Sequence, residues 1–257
     1  MSFDQVVNGD SDFKKLVKYD FSRLVEGVLI GLIVLSASIS NLGLEMVGMT
    51  DGNDFIYRFH AAEGSPRAPL LLLHGTGGNE DDLVSLGRTL APGAALLSPR
   101  GKVLEGSMPR FFRRLAEGVL DQADVVYRAN ELADFILSAQ SRYGLEKPVA
   151  LGFSNGANIA VAILLLRPEV LRGAILLRAM VPLDDPPPAD LTGVPVLLVS
   201  GDVDPILPLE NAKRLAAMLY KRGATVIHEV LHASHGLTQS EITLATDWLS
   251  RFAPLEN

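Results

Sequence analysis

The chain has 257 residues, of which 48% are hydrophobic and 21% charged; its net charge is -7 and it contains no cysteine. This length suits one large α/β domain with a full core, and the sequence shows no linker that would divide such a domain. The acidic balance and the lack of a basic block argue against a nucleic-acid partner. The absence of cysteine excludes disulfides, thiolate metal sites and a cysteine nucleophile, and it is compatible with the cytoplasmic location that we expect.

Residues 1–49 differ in pattern from the rest of the chain. Four basic residues precede an uncharged apolar run over 27–44: Lys14, Lys15, Lys18 and Arg23. This run has about the minimum length for crossing a bilayer, so a membrane or secretory segment is one interpretation. The others are a packed helix, or an extension from an upstream start codon or from cloning, with Met46 or Met49 as the natural start. We predict an N-terminal extension over 1–49 and one catalytic domain over 50–257, with membrane association only through residues 27–44.

Two strands are predicted near the start of this domain. Residues 55–60 form a β-rich run, Phe-Ile-Tyr-Arg-Phe-His, which predicts an early strand at the sheet edge. Residues 69–73, Pro-Leu-Leu-Leu-Leu, form a continuous apolar run bounded by turn residues, which is typical of a parallel strand buried on both faces. The second strand leads directly into a glycine-rich loop.

That loop has the sequence His74-Gly75-Thr76-Gly77-Gly78-Asn79. Its glycines let backbone amides approach a ligand, and a loop of this type that leaves a buried strand can present the N–H of Thr76 toward an oxyanion. A phosphate-binding loop is disfavoured, because the loop has no lysine or arginine and no Gly-x-x-x-x-Gly-Lys pattern; a simple turn is the other alternative. We interpret His74 as a structural residue that ties the loop down. The acidic run over 80–82 is predicted to cap a helix over 83–90.

Residues 94–98 predict the next strand, and the segment 108–114, Met-Pro-Arg-Phe-Phe-Arg-Arg, is interpreted as a loop. In the functional interpretation this segment forms a rim or wall of the substrate pocket. Met108, Phe111 and Phe112 are then substrate-binding residues, and an arginine contacts a polar group of the substrate. In the alternative, it is a packed surface loop whose arginines pair with nearby acids. Both interpretations stay open.

A helix over 121–143, ended by Gly144, precedes a short apolar strand and the run Gly152-Phe153-Ser154-Asn155-Gly156. A Gly-x-Ser-x-Gly run directly after a strand is how a nucleophilic serine is placed on a tight turn. The glycines are expected because the serine backbone is strained and the neighbouring strand and helix leave no room for side chains. A plain strand-to-helix turn that contains glycine is the alternative.

Beyond this turn, strands and helices continue to alternate to the end of the chain. The predicted elements are a strand over 173–177, a proline-rich connection without regular structure over 182–188, a strand over 195–200, a helix over 209–222, a strand over 225–230 and a helix over 241–252. The alternation predicts an α/β fold with a doubly wound, mostly parallel sheet. The short connection over 182–188 leaves no space for a large cap domain.

A serine needs a base to attack an ester, because its hydroxyl stays protonated near neutral pH. In this chain a serine, an aspartate and a histidine follow three predicted strands in that order. The order Ser, Asp, His is typical of catalytic triads built at the carboxyl ends of an open α/β sheet. We assign Ser154 as nucleophile, Asp204 as the carboxylate that orients the imidazole, and His235 as general base and acid. Asp202 rivals Asp204, and His232 rivals His235.

Four runs together carry a resemblance to a known family: Leu-His-Gly-Thr-Gly-Gly-Asn-Glu over 73–80, Gly-Phe-Ser-Asn-Gly over 152–156, Asp-Pro-Ile-Leu-Pro over 204–208 and Ser-His-Gly-Leu over 234–237. They resemble the carboxylesterase/phospholipase branch of the α/β-hydrolases, and in particular bacterial hydrolases similar to the hydroquinone-responsive carboxylesterases. The resemblance favours Asp204 and His235. It also implies that the backbone amides of Thr76 and Asn155 form the oxyanion hole. Two features depart from the family: Ser-His-Gly stands where Gly-His is usual, and residues 1–49 lie outside its pattern.

The residues and the resemblance predict an α/β-hydrolase fold without a large cap and a serine carboxylesterase that cleaves short- to medium-chain esters through an acyl-enzyme. Ile206, two residues after Asp204, joins the predicted substrate-binding residues. No metal or organic cofactor is expected. The expected partner is a small-molecule ester, and a homodimer stays open. The alternatives are a lysophospholipase or acyl-protein thioesterase and, from another class, a non-catalytic α/β-hydrolase that binds a ligand.

Overall fold

The computed structural model describes residues 46–47, 55–63 and 67–252. The apolar run over 27–44 and most of the predicted extension over 1–49 lie outside the described residues, so that division of the chain stays a prediction. Within the described ranges, no helix is both long and apolar enough to cross a membrane.

The described residues form short strands and five helices in an alternating order. In chain order the elements are β1 (Met46–Val47), β2 (Tyr57–His60), β3 (Leu70–Leu73), α1 (Val84–Leu90), β4 (Leu96–Pro99), β5 (Val103–Glu105), β6 (Met108–Arg110), β7 (Arg114–Ala116), β8 (Val119–Leu120), α2 (Gln122–Tyr143), β9 (Val149–Phe153), α3 (Asn155–Leu166), β10 (Gly173–Leu177), β11 (Pro195–Gly201), α4 (Leu209–Lys221), β12 (Thr225–Leu231) and α5 (Gln239–Phe252).

One eight-stranded sheet organises the fold, with the strand order β1-β2-β4-β3-β9-β10-β11-β12. The strands from β4 to β12 in this order run parallel, whereas β2 is antiparallel to both β1 and β4. This confirms the predicted doubly wound, mostly parallel sheet. The prediction that the strand over 55–60 lies at the sheet edge is wrong, because β1 pairs outside it, with Met46 opposite Phe59.

Strand β3 shows why an uninterrupted apolar run was needed here. Leu71 and Leu73 belong to the core on the side of α2, α3 and α4, whereas Leu70 and Leu72 pack on the other side with α1 and α5, including Trp248. Successive side chains of a strand point to opposite faces, so a strand covered on both faces buries every residue. Each buried leucine contributes about 1.5–3 kcal/mol relative to an exposed one, and β3 therefore anchors the loop that follows it.

The acidic run over 80–82 does not cap a helix, which corrects the sequence prediction. Helix α1 begins at Val84 and has neither a side-chain cap nor an acid in its first turn. Glu80 instead makes two hydrogen bonds with Arg100, of 2.5 and 2.7 Å, and Asp81 pairs with Arg58 at 2.6 Å. Burial acts to raise the pKa of Glu80, but the hydrogen bond and charge of Arg100 outweigh it and lower that pKa. Glu80 and Asp81 therefore pair with guanidinium groups, Arg58 in β2 and Arg100 directly after β4, rather than with the helix end.

The segment over 108–114 is not a loop, which is a second correction. Residues 108–110 form β6, which pairs with β5, and β7 begins at Arg114 and pairs with β8, so two hairpins precede α2. Their turns contain Gly106 and Gly118, both with positive φ, at 63° and 73°. Strands of two or three residues are too short to show an alternating pattern, and for that reason the sequence resembled a loop.

The later elements follow the predicted order. Helix α2 has Asp121 as its N-cap, whose side chain accepts from the Asp124 amide, and it ends at Gly144 in the left-handed conformation. The connection over 182–188 contains no helix or strand, and no large cap domain stands beside it in the described part of the chain.

Candidate active site

The run over 152–156 forms a strand-turn-helix with a strained serine at the turn. Ser154 lies between β9 and α3 with φ of 51° and ψ of -111°. This backbone conformation costs a non-glycine residue about 1–3 kcal/mol, and it persists only where the surrounding structure holds it. Here the Ser154 amide donates to the Leu177 carbonyl at 2.8 Å, and the Ser154 carbonyl accepts from the Asn158 amide at 3.0 Å. The turn therefore projects the serine side chain from the end of a central strand.

The glycines beside the serine allow close packing between strand and helix, as predicted. A Cβ atom added to Gly156 would lie 2.0 Å from the carbonyl oxygen of Leu73, and one added to Gly152 would lie 2.6 Å from the Cα of Ala157. Both neighbours are backbone atoms, which cannot move without displacing β3 or α3. Glycine is thus required on both sides of Ser154 for the turn to form.

A continuous hydrogen-bond chain connects Ser154, His235 and Asp204. His235 Nε2 lies 3.0 Å from Ser154 Oγ, and His235 Nδ1 lies 2.8 Å from Asp204 Oδ2. The Asp204 side chain is 1% exposed and that of His235 is 20% exposed. Because a carboxylate only accepts, Nδ1 carries the proton in the neutral ring, which leaves the Nε2 lone pair facing the serine hydroxyl. This arrangement suits proton transfer from the serine to the imidazole.

The carboxylate of Asp204 is oriented by its own turn. Asp204 Oδ1 accepts from the amides of Ile206 and Leu207, at 2.8 and 3.1 Å. These two bonds occupy one carboxylate oxygen and leave the other to face His235. The Asp-Pro-Ile-Leu-Pro run therefore positions the acid as well as carrying it.

The rival acid and the rival histidine pair with each other, away from Ser154. His232 Nδ1 lies 3.1 Å from both carboxylate oxygens of Asp202, and the His232 side chain is 84% exposed. Neither residue has a hydrogen bond to Ser154 among those of the described residues. The structure thus brings Asp204 and His235 to the serine and leaves Asp202 and His232 at the surface.

The glycine loop meets the serine turn because their strands are neighbours. Strands β3 and β9 pair in parallel with Leu73 opposite Gly152, so the residues that follow each strand emerge at the same edge of the sheet. The Thr76 amide donates to no acceptor among the described residues. Asn155 is the first residue of α3, where an amide has no acceptor within its own helix. Both amides are therefore backbone donors without a protein acceptor in the described part of the chain, and both follow strands that end at the same edge of the sheet.

His74 holds the glycine loop in place and is buried at the end of β3. Its Nε2 accepts from the Gly101 amide at 3.0 Å, and its Nδ1 lies 2.7 Å from the Gly75 carbonyl, to which it donates. Burial lowers the pKa of His74, which favours the neutral ring that this bonding pattern requires. The geometry agrees with the interpretation of His74 as structural.

Three consecutive residues of the β5–β6 hairpin region brace both loops, which sequence reasoning missed. Pro109 O accepts from the Gly77 amide at 2.9 Å, and Arg110 Nη1 donates to Thr76 Oγ1 at 2.8 Å. The Phe111 amide donates to Asn155 Oδ1 at 2.7 Å. These side-chain contacts join residues 34 and 44 positions apart, so no local pattern could have indicated them.

Comparison with known proteins assigns the chain to a family. The family model described as phospholipase/carboxylesterase matches residues 58–252. The chain belongs to the phospholipase/carboxylesterase family. MhqD of Bacillus subtilis (strain 168), a protein named as a hydrolase, is 45% identical over 188 residues, which make up 72% of this chain and 94% of MhqD.

Solved structures place this phospholipase/carboxylesterase member among the α/β-hydrolases. The carboxylesterase of Bacillus cereus is 39% identical with a TM-score of 0.75, and the match covers 77% of this chain and 94% of that one. The carboxylesterase from Mesorhizobium loti is 33% identical with a TM-score of 0.75, over 79% and 97% of the two chains. The family and fold resemblance read from the sequence is confirmed, and the chain is a hydrolase.

The predicted substrate-binding residues of this phospholipase/carboxylesterase member separate into two groups. Met108 is 42% exposed and lies beside the glycine loop, where its Cγ would be 3.6 Å from a Cβ atom added to Gly77. Ile206 is 38% exposed and lies two residues after Asp204. Phe111 and Phe112 are buried in the core, which corrects their interpretation as a rim. The Phe111 ring packs against the His74 ring, with centroids 4.7 Å apart.

The arginines of the segment over 108–114 are paired with acids. Arg113 lies 3.0 Å from Asp121, and Arg114 lies 2.8 Å from Glu105. Arg110 is buried, 3.1 Å from Glu105, and burial lowers its pKa, as does the neighbouring Arg114 charge. The structure agrees with the interpretation in which the arginines pair with nearby acids.

Proposed function

We propose that this chain is a serine carboxylesterase that hydrolyses short- to medium-chain carboxylic esters through an acyl-enzyme formed on Ser154. The observation that carries the proposal is the continuous hydrogen-bond chain from Ser154 Oγ through His235 to the buried carboxylate of Asp204. Membership of the phospholipase/carboxylesterase family supports the esterase activity.

In the acylation step, His235 Nε2 removes the proton of the Ser154 hydroxyl while Oγ attacks the ester carbonyl carbon. The resulting oxyanion accepts hydrogen bonds from the amides of Thr76 and Asn155, and each such donor contributes about 10²–10³-fold to the rate. Asp204 stabilises the imidazolium that forms. The imidazolium then protonates the alkoxy oxygen of the leaving group as the carbon–oxygen bond breaks, which releases the alcohol and leaves the acyl group on Ser154.

In the deacylation step, His235 removes a proton from water, and the oxygen of that water attacks the acyl carbon. The second oxyanion uses the same two amides. The bond to Ser154 Oγ breaks as the imidazolium returns its proton to the serine, and the carboxylic acid is released. The two hydrogen bonds of His235 support this proton transfer in both steps. Asp204 holds Nδ1, while Nε2 faces Ser154 Oγ and exchanges protons there.

The surroundings of the site support the proposed substrate size. Exposed Met108 and Ile206 provide apolar surface near the glycine loop and the Asp204 turn, and the described residues include no large cap. The proposed partner is thus a small-molecule ester, bound without a nucleic acid. We also propose a cytoplasmic location, with membrane association through residues 27–44 as the alternative.

A series of p-nitrophenyl esters from acetyl to palmitoyl tests this substrate range. We expect kcat/KM to rise by up to about fourfold for each methylene that becomes buried and to stop rising by octanoyl, because further carbons stay in water. A rise that continues to palmitoyl, together with turnover of lysophospholipids or acyl thioesters, would instead favour the lysophospholipase or acyl-protein thioesterase.

Labelling by a fluorophosphonate probe tests the nucleophile. We expect the wild-type chain to be labelled in the peptide that contains Ser154, because the probe reacts with a serine that a paired histidine activates. The Ser154→Ala variant is the matched control and should stay unlabelled. A folded wild-type chain that resists the probe would favour the non-catalytic ligand binder.

A further inference from the structure

Arg178 combines a left-handed backbone with a fully buried guanidinium. It follows the last residue of β10 and has φ of 57°, and Ser154 is the only other described non-glycine residue with a positive φ. Its side chain is 0% exposed. A strained backbone and a buried charge each cost free energy, so contacts with the surrounding residues must offset that cost.

The guanidinium binds the backbone on both sides of His235. Arg178 Nε donates to the Ser234 carbonyl at 2.9 Å, and Nη2 donates to the Gly236 carbonyl at 3.1 Å. The same Nε lies 4.0 Å from Asp204 Oδ2, the carboxylate oxygen that faces His235. One rigid group therefore contacts both neighbours of the histidine and lies next to the acid.

Glu241 supplies the counter-charge from the first turn of α5. Glu241 Oε1 accepts from Arg178 Nη2, and Oε2 accepts from the Thr238 amide at 2.8 Å and from the Thr238 hydroxyl. Burial acts to raise the pKa of Glu241, but the hydrogen bonds from Thr238 and Arg178 outweigh it and lower that pKa. The carboxyl is thus ionised, and the buried pair has partners for both charges.

We propose that Arg178, with Glu241 as its counter-ion, is the positioning residue that fixes His235 between Ser154 and Asp204. This inference rests on the proposed function of those three residues. The segment over 232–238 that carries His235 contains no helix or strand, so no ladder of backbone bonds fixes it. Its carbonyls are instead fixed by the planar guanidinium, whose several donors point in set directions. Replacing a buried ion pair by apolar residues is often neutral for stability, so stability alone does not explain the pair.

The kinetic test replaces both members of the pair at once. In Arg178→Met/Glu241→Leu we expect a folded protein whose kcat for p-nitrophenyl acetate falls about 10²-fold with little change in KM, because a small misplacement of the histidine impairs the chemical step. The control is Lys102→Met/Glu131→Leu, which removes a different pair, 2.7 Å apart and only partly buried, and should keep the wild-type kcat.

A single variant keeps the test decisive if the double variant does not fold. Arg178→Lys retains the positive charge beside Glu241, but one ammonium cannot hold the Ser234 and Gly236 carbonyls in the geometry of the guanidinium fork. We expect kcat of this variant to stay well below the wild-type value. Full activity in Arg178→Lys would overturn the positioning role, because charge alone would then suffice.

A proton resonance provides a readout that does not depend on turnover. The His235 Nδ1 proton, bonded to Asp204, should give a low-field signal in the wild type and in the Lys102→Met/Glu131→Leu control. We expect the signal to be lost or shifted in Arg178→Met/Glu241→Leu and in Arg178→Lys. An unchanged signal with an unchanged kcat would refute the inference.

A wild-type chain that is inactive and unlabelled at Ser154 would refute the proposed function, while the resonance would still decide the role of Arg178.

Discussion

Ser154→Ala is expected to lower kcat/KM for p-nitrophenyl acetate by about 10⁶-fold, since loss of the nucleophile in a serine triad leaves only the contribution of oxyanion binding. The hydroxyl is the group that His235 Nε2 meets at 3.0 Å, and no other hydroxyl is hydrogen-bonded to this nitrogen in the described part of the chain. Initial rates with purified wild-type and variant protein measure the effect. Residual spontaneous hydrolysis is subtracted from both.

The variant should keep the native fold, so that the loss can be assigned to chemistry. Alanine has the same Cβ as serine and tolerates φ of 51° no worse, and the bonds of residue 154 to Leu177 and Asn158 are made by backbone atoms. Thermal melting should therefore be unchanged. Ser250→Ala, which removes an exposed hydroxyl at the end of α5, is the matched control and should retain full activity. Undiminished turnover in Ser154→Ala would contradict the acyl-enzyme mechanism.

Asp204→Asn is expected to lower kcat by about 10⁴-fold, the size of effect found when an orienting carboxylate is made neutral in a serine triad. The amides of Ile206 and Leu207 require an acceptor at Oδ1. The asparagine would satisfy them with its oxygen and turn its NH₂ group toward His235. The imidazole would then accept at Nδ1 and carry its proton on Nε2, so it could not remove the Ser154 proton.

Asp202→Asn is the matched control for this prediction, with the same chemical change two residues away. Asp202 pairs with the exposed His232 and has no bond to His235 among the described contacts, so kcat should change less than about twofold for a surface pair of this kind. The comparison of the two variants in one assay decides the assignment. If Asp202→Asn loses activity and Asp204→Asn keeps it, the proposed triad is wrong.

The bracing residues show how much of the site depends on distant contacts. Pro109, Arg110 and Phe111 each bond to the glycine loop or to Asn155, and Arg178 bonds to the carbonyls beside His235. None of these residues belongs to a recognisable motif. Sequence reasoning interpreted the first three as part of a loop, and it assigned no role to Arg178, because short strands and single buried arginines leave no periodic pattern.

The sequence by itself determined the serine turn, the glycine loop and the parallel strands that carry them. Each is specified locally: glycine is required where backbones touch, as at Gly152 and Gly156, and an unbroken apolar run is required where a strand is covered on both faces, as in β3. Local patterns of this kind also show the family, since its motifs are the same short runs.

The family resemblance favoured Asp204 and His235, but only the tertiary structure shows that these two, and not Asp202 and His232, form a hydrogen-bond chain with Ser154. Two Asp–His pairs of the same chemistry lie within a few positions of each other, and they differ in burial and in their contact with the serine: His235, paired with the buried Asp204, bonds to Ser154, whereas Asp202 and His232 meet at the surface. The acid and the histidine of each pair are about thirty positions apart, so their meeting depends on the pairing of β11 with β12. The same physical reason joins Arg178 to Glu241 and to the backbone on both sides of His235, because folding brings the end of β10 and the start of α5 together although they are far apart in the sequence.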